Sequence, residues 1–327
     1  MAFTTIGETG KVVAQGSVAQ ALRGSRVDVR GKVFELALLT CLLISLVILA
    51  ILITSVMSDG FGVYTDRGFD FLDNGLSRRP ARAGISQGIV GSVWIAISVA
   101  VIAFPLGIGA AVYLEEYARR NRLTGFIELN IRNLAGVPSV VYGLLGLAIF
   151  VDALGGFSGQ EGVDRSTLAA AGVTLAVLVL PVMIITTQES LRAVPQELRD
   201  AAYGVGSTRW EVIRKIVLPY AAPGIFTGSL LSIARAIGEA APLIVVGAFT
   251  FSSSGAGLDA ANVFDPGHLE DRFTALPMVI STWSKAPQEI FKVDLAAATI
   301  LAMLTFVLLI NSIAIVLRNR FEKKRSG

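Results

Sequence analysis

Long uncharged runs separated by short charged segments set the pattern of the chain. Residues 36–57, 85–114, 133–151, 166–188, 216–234, 240–258 and 295–317 contain no Asp, Glu, Lys or Arg. A helix needs about 20 mostly apolar residues to cross a hydrocarbon core of about 30 Å. The fifth and sixth runs are interrupted only by 235–239 and read as one crossing, so the pattern predicts six membrane spans. Their expected limits are about 34–57, 86–114, 134–152, 167–188, 220–249 and 295–317, within a membrane domain of 34–317. Residues 1–33 and 318–327 form polar tails, and 190–219 a charged loop. The spans are helices, because backbone polar groups in lipid must be paired within the segment and no alternating stretch of about ten residues suggests a barrel. The predicted class is therefore an all-α integral membrane protein with six transmembrane helices.

Individual runs carry further expectations. The first is rich in Leu and Ile without small-residue seams, as suits a peripheral helix facing lipid. The second is longer than a perpendicular crossing requires and contains Pro105 close to Gly107 and Gly109, which predicts a kink or tilt. The third opens with Gly136-Val137-Pro138 and continues to Gly143, residues that permit close helix approach or a break lining a cavity. Residues 58–84, with four Asp and four Arg, are expected as an ordered loop between the first two spans.

Composition agrees: 53% of residues are hydrophobic and only 16% charged, which is unlike two soluble domains of the same total length. The basic residues orient the bundle. Tails and loops on one side hold 19 Lys and Arg, those on the other side hold 8, and Arg235 completes the 28. The asymmetry predicts that both tails and the 190–219 loop are cytoplasmic. The net charge of +3 is then a topology signal, not a nucleic-acid footprint. The single Cys41 excludes an intramolecular disulfide and a multi-cysteine metal site. No cleavable signal peptide is expected, since a long polar stretch precedes the first span.

The loop 196–219 is charged, amphipathic and set between two membrane-length runs. Pro195 suits a helix start, and Glu197, Leu198, Ala201 and Ala202 fall at helical spacing. Gly206 allows a turn with positive φ, and Ser207 or Thr208 can cap a second short helix carrying Trp210, Ile213 and Val217. Two short helices at an angle make a knob; the alternative is a generic interfacial amphipathic helix. Asp200-Ala201-Ala202, Gly206, Ile216 and Leu218-Pro219 resemble the "EAA" loop of ABC-importer permeases, with Asp200 where that family usually has Glu. The resemblance implies a type I ABC-importer permease fold, and a loop that couples to a separate ATPase.

Arg235 and Glu239 are the one charge pair inside otherwise apolar sequence. A charge near mid-bilayer is costly unless paired or hydrated, so the pair is a functional candidate. At i, i+4 the two share a helix face. A guanidinium matches a tetrahedral oxyanion with two parallel hydrogen bonds and keeps its charge. Glu239 can accept the proton of hydrogenphosphate, which sulfate lacks at neutral pH. The alternative is a structural ion pair. ARAIGEAAPL, GVPSVVYGLLGLAIFV and ALPMVISTWSKAPQEIF with Asn311 resemble the permease subunits of phosphate ABC importers, the PstA type. Ala240 departs from that pattern, where Thr is frequent. The resemblance implies a heterodimer with a second permease, two cytoplasmic ATPase subunits holding ATP and Mg, an extracytoplasmic phosphate-binding protein, and a place in the bacterial cytoplasmic membrane.

No phosphate-cradling Walker loop occurs, so the chain itself is not expected to hydrolyse ATP or bind a cofactor. No nucleophile and base constellation stands out, and the sole histidine, His268, falls in an outer loop. Three rivals remain: a permease for another oxyanion or the sibling phosphate permease, an ion-coupled secondary transporter, and an intramembrane enzyme.

Overall fold

A computed structural model describes residues 29–153, 167–248 and 273–326, and every regular element among them is helical. His268, and much of the chain between the third and fourth and between the fifth and sixth expected spans, lie outside the described residues. The chain divides into two units, Met1–Ser55 and Val56–Gly327. The smaller unit contains the first part of α1 (Val29–Arg67), where Leu, Ile and Val occupy every face and leave no polar stripe.

In the larger unit, α2 (Asp70–Asp73) precedes α3 (Ser86–Val112), which continues through a widened i→i+5 turn, Tyr113–Tyr117. Helices α4 (Arg122–Ala135) and α5 (Ser139–Gly146) follow, the latter extended by a widened turn, Leu147–Ala153. Then come α6 (Leu168–Arg192), α7 (Gln196–Gly204), α8 (Arg209–Val212) with the widened turn Ile213–Val217, and α9 (Leu218–Gly238). The remainder is α10 (Ala241–Val246), α11 (Leu276–Trp283), and α12 (Ala296–Ser326), which is preceded by the widened turn Phe291–Leu295.

Helix α6 is the hub and packs against α3, α4, α5 and α9. Its Leu175, Ala176 and Val179 are fully buried against Val99 and Ala103 of α3. Small and β-branched residues on both helices let the axes approach closely. The hydroxyls on this seam turn inward on their own helices: Thr174 donates to Ala170 O at 2.7 Å, and Ser229 of α9 to Ile225 O at 2.7 Å. This back-bonding satisfies a hydroxyl where no water is at hand. Gly107 packs against Met183, where an added Cβ would fall 2.5 Å from Cγ, whereas Gly109 faces open space. Of that glycine pair, only the first serves packing.

Among the described residues five helices are long and apolar enough to cross a membrane, and the pair α4 and α5 makes a sixth crossing if its two parts count together. The sequence pattern differs from the structure in three places. The third run does not extend straight from 134: at Gly136-Val137-Pro138 the chain bends by 101° between α4 and α5. Pro138 has φ −56° and ψ 137°, outside helical space, and carries no N–H to continue α4. The fifth run is also divided, because Glu239 at φ −85° and ψ 110° ends α9, and Pro242 starts α10. Residues 58–84 are not mainly loop, since α1 continues to Arg67. Its guanidinium donates to Pro80 O and Ala83 O at 3.1 and 2.6 Å and lies 5.5 Å from the Phe71 ring centre. Phe71, Trp283 and Phe291 pack beneath it, so this end of the bundle is held by an aromatic cluster and not by lipid contact alone.

Candidate functional site

Two regions hold the residues singled out by sequence. The first is 196–219, at the end of the bundle opposite that aromatic cluster. Helix α7 begins after Pro195, which acts as N-cap and not as a first-turn residue. Gly206 has φ 85°, the positive value its position predicts. Thr208 caps α8 in a reciprocal box: its Oγ1 accepts from Glu211 N at 3.4 Å, and Glu211 Oε2 accepts from Thr208 N at 3.0 Å. That backbone donor, together with Lys215 Nζ at 3.1 Å and the Thr208 hydroxyl, holds the Glu211 carboxyl down at about 2. The cap therefore keeps its charge throughout the neutral range.

The knob has an inner and an outer face. Ala202, Val212, Ile213 and Val217 are buried, and Ala202, Val212 and Val217 join a core with Leu191 and Ala221. On the outside, Val205 is 84% and Trp210 55% exposed, with Leu198 and Tyr203 beside them in sequence also open. Asp200 and Ala201 are exposed, and Asp200 accepts from Gln196 Nε2 at 3.1 Å. Leu218 and Pro219 open α9, with Leu218 half-buried and Pro219 exposed. An apolar, aromatic-bearing surface on a rigidly capped knob suits contact with another protein.

Side chains that the sequence reading did not single out anchor the knob. Arg199 of α7 pairs with Glu116 in the turn that ends α3, and also donates to Leu191 O at 2.8 Å. Arg192 bonds Glu115 at 2.9 Å and lies 3.8 Å from Glu128 of α4. The Arg209 guanidinium sits 4.9 Å from the centre of the Tyr117 ring. One signal was available: two acidic residues, Glu115 and Glu116, close an apolar run on the side richest in Arg.

The second region is the break between α9 and α10. Arg235 Nε and Glu239 Oε1 are 3.6 Å apart, so the predicted pair forms, although Glu239 lies beyond the last helical residue. The Arg235 side chain is 44% and Glu239 24% exposed. Tyr142 of α5 donates its hydroxyl to Leu134 O at 2.8 Å beside the 101° bend. Helix α10 lies against α5 at Gly143, where a Cβ would meet Pro242 Cα at 2.8 Å. Two chain breaks, a cation, a carboxylate and a phenol thus belong to one neighbourhood. Among the described residues no group of His, Cys, Asp and Glu is arranged to hold a metal ion.

Known proteins share this architecture. The chain is 34% identical over 268 residues to the phosphate transport system permease protein PstA of Mycobacterium leprae, covering 80% of each chain. It is 36% identical over 245 residues to the protein of the same name from Yersinia pestis, covering 75% of each. Among solved structures, a bacterial alginate ABC transporter in complex with an alginate-bound periplasmic protein aligns over 89% of this chain and 95% of its own. That alignment has a TM-score of 0.62 at 14% identity, a likeness of fold alone. The all-helical bundle has the type I ABC-importer permease fold. Residues 103–327, which include both regions above, match the model of one transport family. The chain is a multi-pass membrane protein and belongs to the binding-protein-dependent transport system inner membrane components.

Proposed function

We propose that this chain is a permease subunit of an ATP-driven importer that carries inorganic phosphate across the bacterial cytoplasmic membrane. Both tails and the 196–219 knob are cytoplasmic in this reading, as the basic-residue asymmetry indicates. The knob receives motion from a separate ATPase, with Asp200, Ala201, Ala202 and Gly206 shaping the contact and Leu218 and Pro219 passing it into α9. ATP and Mg belong to two such ATPase subunits. A second, related permease completes the pathway, and an external phosphate-binding protein delivers the substrate. Arg235 meets the anion, and the Glu239 carboxylate accepts a hydrogen bond from the hydroxyl of hydrogenphosphate. Closure of the ATPase pair moves the knob, rotates α9 with its neighbours, and opens the route past Arg235 to the outside; hydrolysis reopens the inner side.

The observation that carries this reading is the likeness, over about four fifths of both chains, to a protein named as a phosphate permease. The exposed guanidinium at a helix break has the charge and donor geometry to bind a tetrahedral oxyanion, which supports the same reading. The test is uptake of radiolabelled phosphate by proteoliposomes holding the full complex and its binding protein. Uptake is expected to need ATP and the binding protein and to resist an equal concentration of sulfate. Transport by this chain alone under an ion gradient would replace the reading with a secondary transporter, and equal competition by sulfate would replace the substrate.

A further inference from the structure

Glu115, Glu116 and Tyr117 are consecutive in the widened turn that ends α3, and each engages one arginine on a different helix. Glu115 holds Arg192 at the end of α6, Glu116 holds Arg199 in α7, and Tyr117 lies under Arg209 of α8. In an α-helix three successive side chains point about 100° apart. An i→i+5 turn holds more residues per turn, narrows that spread, and brings all three toward one set of partners. We propose that this triplet is a clamp that passes movement of the 196–219 knob into α3, with Glu116 and Arg199 as positioning residues for energy coupling. The inference rests on the reading of the knob as the ATPase-docking element.

The connectivity supports it. Helix α7 is joined through the backbone to α6, and α8 to α9, but neither is joined directly to α3; Arg199 and Glu116 are 83 positions apart. Motion of the knob therefore reaches α3 only through packing and these side chains. Helix α3 in turn lies along both α6 and α9, so a rigid grip at its end makes three crossings respond to one push. The Arg199–Glu116 contact is the stiff member of the clamp. Its side chains are 14% and 7% exposed, and Arg199 is fixed a second time on Leu191 O. Removing either charge strands the other in a dry site, whereas exchanging the two preserves the pair. Arg192–Glu115 and Arg209–Tyr117 are more open and steady the same turn from either side.

The test uses the reconstituted complex and reads phosphate taken up per ATP hydrolysed. Arg199→Gln and Glu116→Gln are each expected to lower that ratio about tenfold while the ATPase subunit still copurifies. The exchanged pair, Arg199→Glu with Glu116→Arg, restores most of it. Tyr117→Leu, at the more open contact, lowers the ratio about threefold. The clamp is overturned if the single variants keep the wild-type ratio, or if the exchanged pair is no better than either of them. It is equally overturned if the ATPase subunit is lost, since the contact then only folds the knob. Asp200→Lys, prepared alongside, separates the two readings: retained ATPase and full uptake there would remove the docking role itself and the clamp with it.

Discussion

Replacing Arg235 by Gln separates a transport role from a structural one. The guanidinium and the Glu239 carboxylate are 3.6 Å apart, longer than the 2.7–2.9 Å or so of a charge-assisted hydrogen bond, and the two side chains are 44% and 24% exposed. Their Coulomb attraction at that distance is between about 1 kcal/mol in water and about 5 kcal/mol at a surface-like permittivity. Side-chain ordering and desolvation offset most of it, and an open pair in a hydrated pathway, as the proposed route past Arg235 is, contributes about 0–1 kcal/mol net. Domain stabilities run to about 5–15 kcal/mol, so loss of this pair leaves the fold intact. The expected outcome for Arg235→Gln is a complex that assembles, elutes and melts like wild type and hydrolyses ATP, yet takes up no phosphate. Glu239→Gln keeps an acceptor oxygen but loses the charge, and is expected to retain partial phosphate uptake with stronger sulfate competition. Size-exclusion chromatography, thermal melting and proteoliposome uptake measure these separately. Loss of assembly together with uptake would mean that the pair holds the protein together. Normal uptake in Arg235→Gln would mean that the anion does not meet this cation.

Other consequences follow from local geometry. Gly143→Ala places a methyl 2.8 Å from Pro242 Cα and 3.0 Å from Val245 Cβ, so backbone must move. It is expected to destabilise by about 1–3 kcal/mol, to lower the melting midpoint, and to reduce uptake by shifting α10. Gly206→Val meets no neighbour within 4 Å but is strained at φ 85°. Weaker ATPase association without loss of the membrane bundle is expected, measured by copurification; unchanged association would contradict the docking role. The Glu211 carboxyl, held at about 2 against an ordinary 4.5, stabilises the α8 cap above the ordinary value. That contribution is lost as pH falls from roughly 5 toward 2. Amide protection at α8, the exchange rate taken relative to the intrinsic rate at each pH, should therefore fall over that acid range in wild type, and Glu211→Gln should flatten the fall.

The bundle was legible in the sequence wherever the signal was local. Uncharged runs of membrane length gave the long helices, and the order Pro195, Gly206 and Ser207 or Thr208 gave the knob and its cap, because capping and turn formation are decided within a few residues; the structure chose Thr208 and added Glu211 as its reciprocal partner. Both helix breaks were legible only in part. Arg235 and Glu239 at i, i+4 read as one helical face, yet Pro242 already forbids the hydrogen bond that would carry α9 onward. Pro138 acts in the same way on α4. Apolar composition masked these stops, because a broken span and a continuous one have the same hydropathy.

What the sequence could not supply was pairing between distant helices. Arg192 and Arg199 meet Glu115 and Glu116 across 77 and 83 positions, distances at which no periodicity speaks. These same arginines belong to the basic excess from which the orientation of the chain in the membrane is proposed. The two roles do not compete: orientation depends on where Lys and Arg stand relative to span ends during insertion, whereas the pairs form once the helices have packed. Of the five basic residues in 190–215, Arg192, Arg199, Arg209 and Lys215 all have partners within the knob or at the end of α3. The charge that sets this loop apart from the apolar spans thus also gives it rigidity, which the coupling role proposed for it requires.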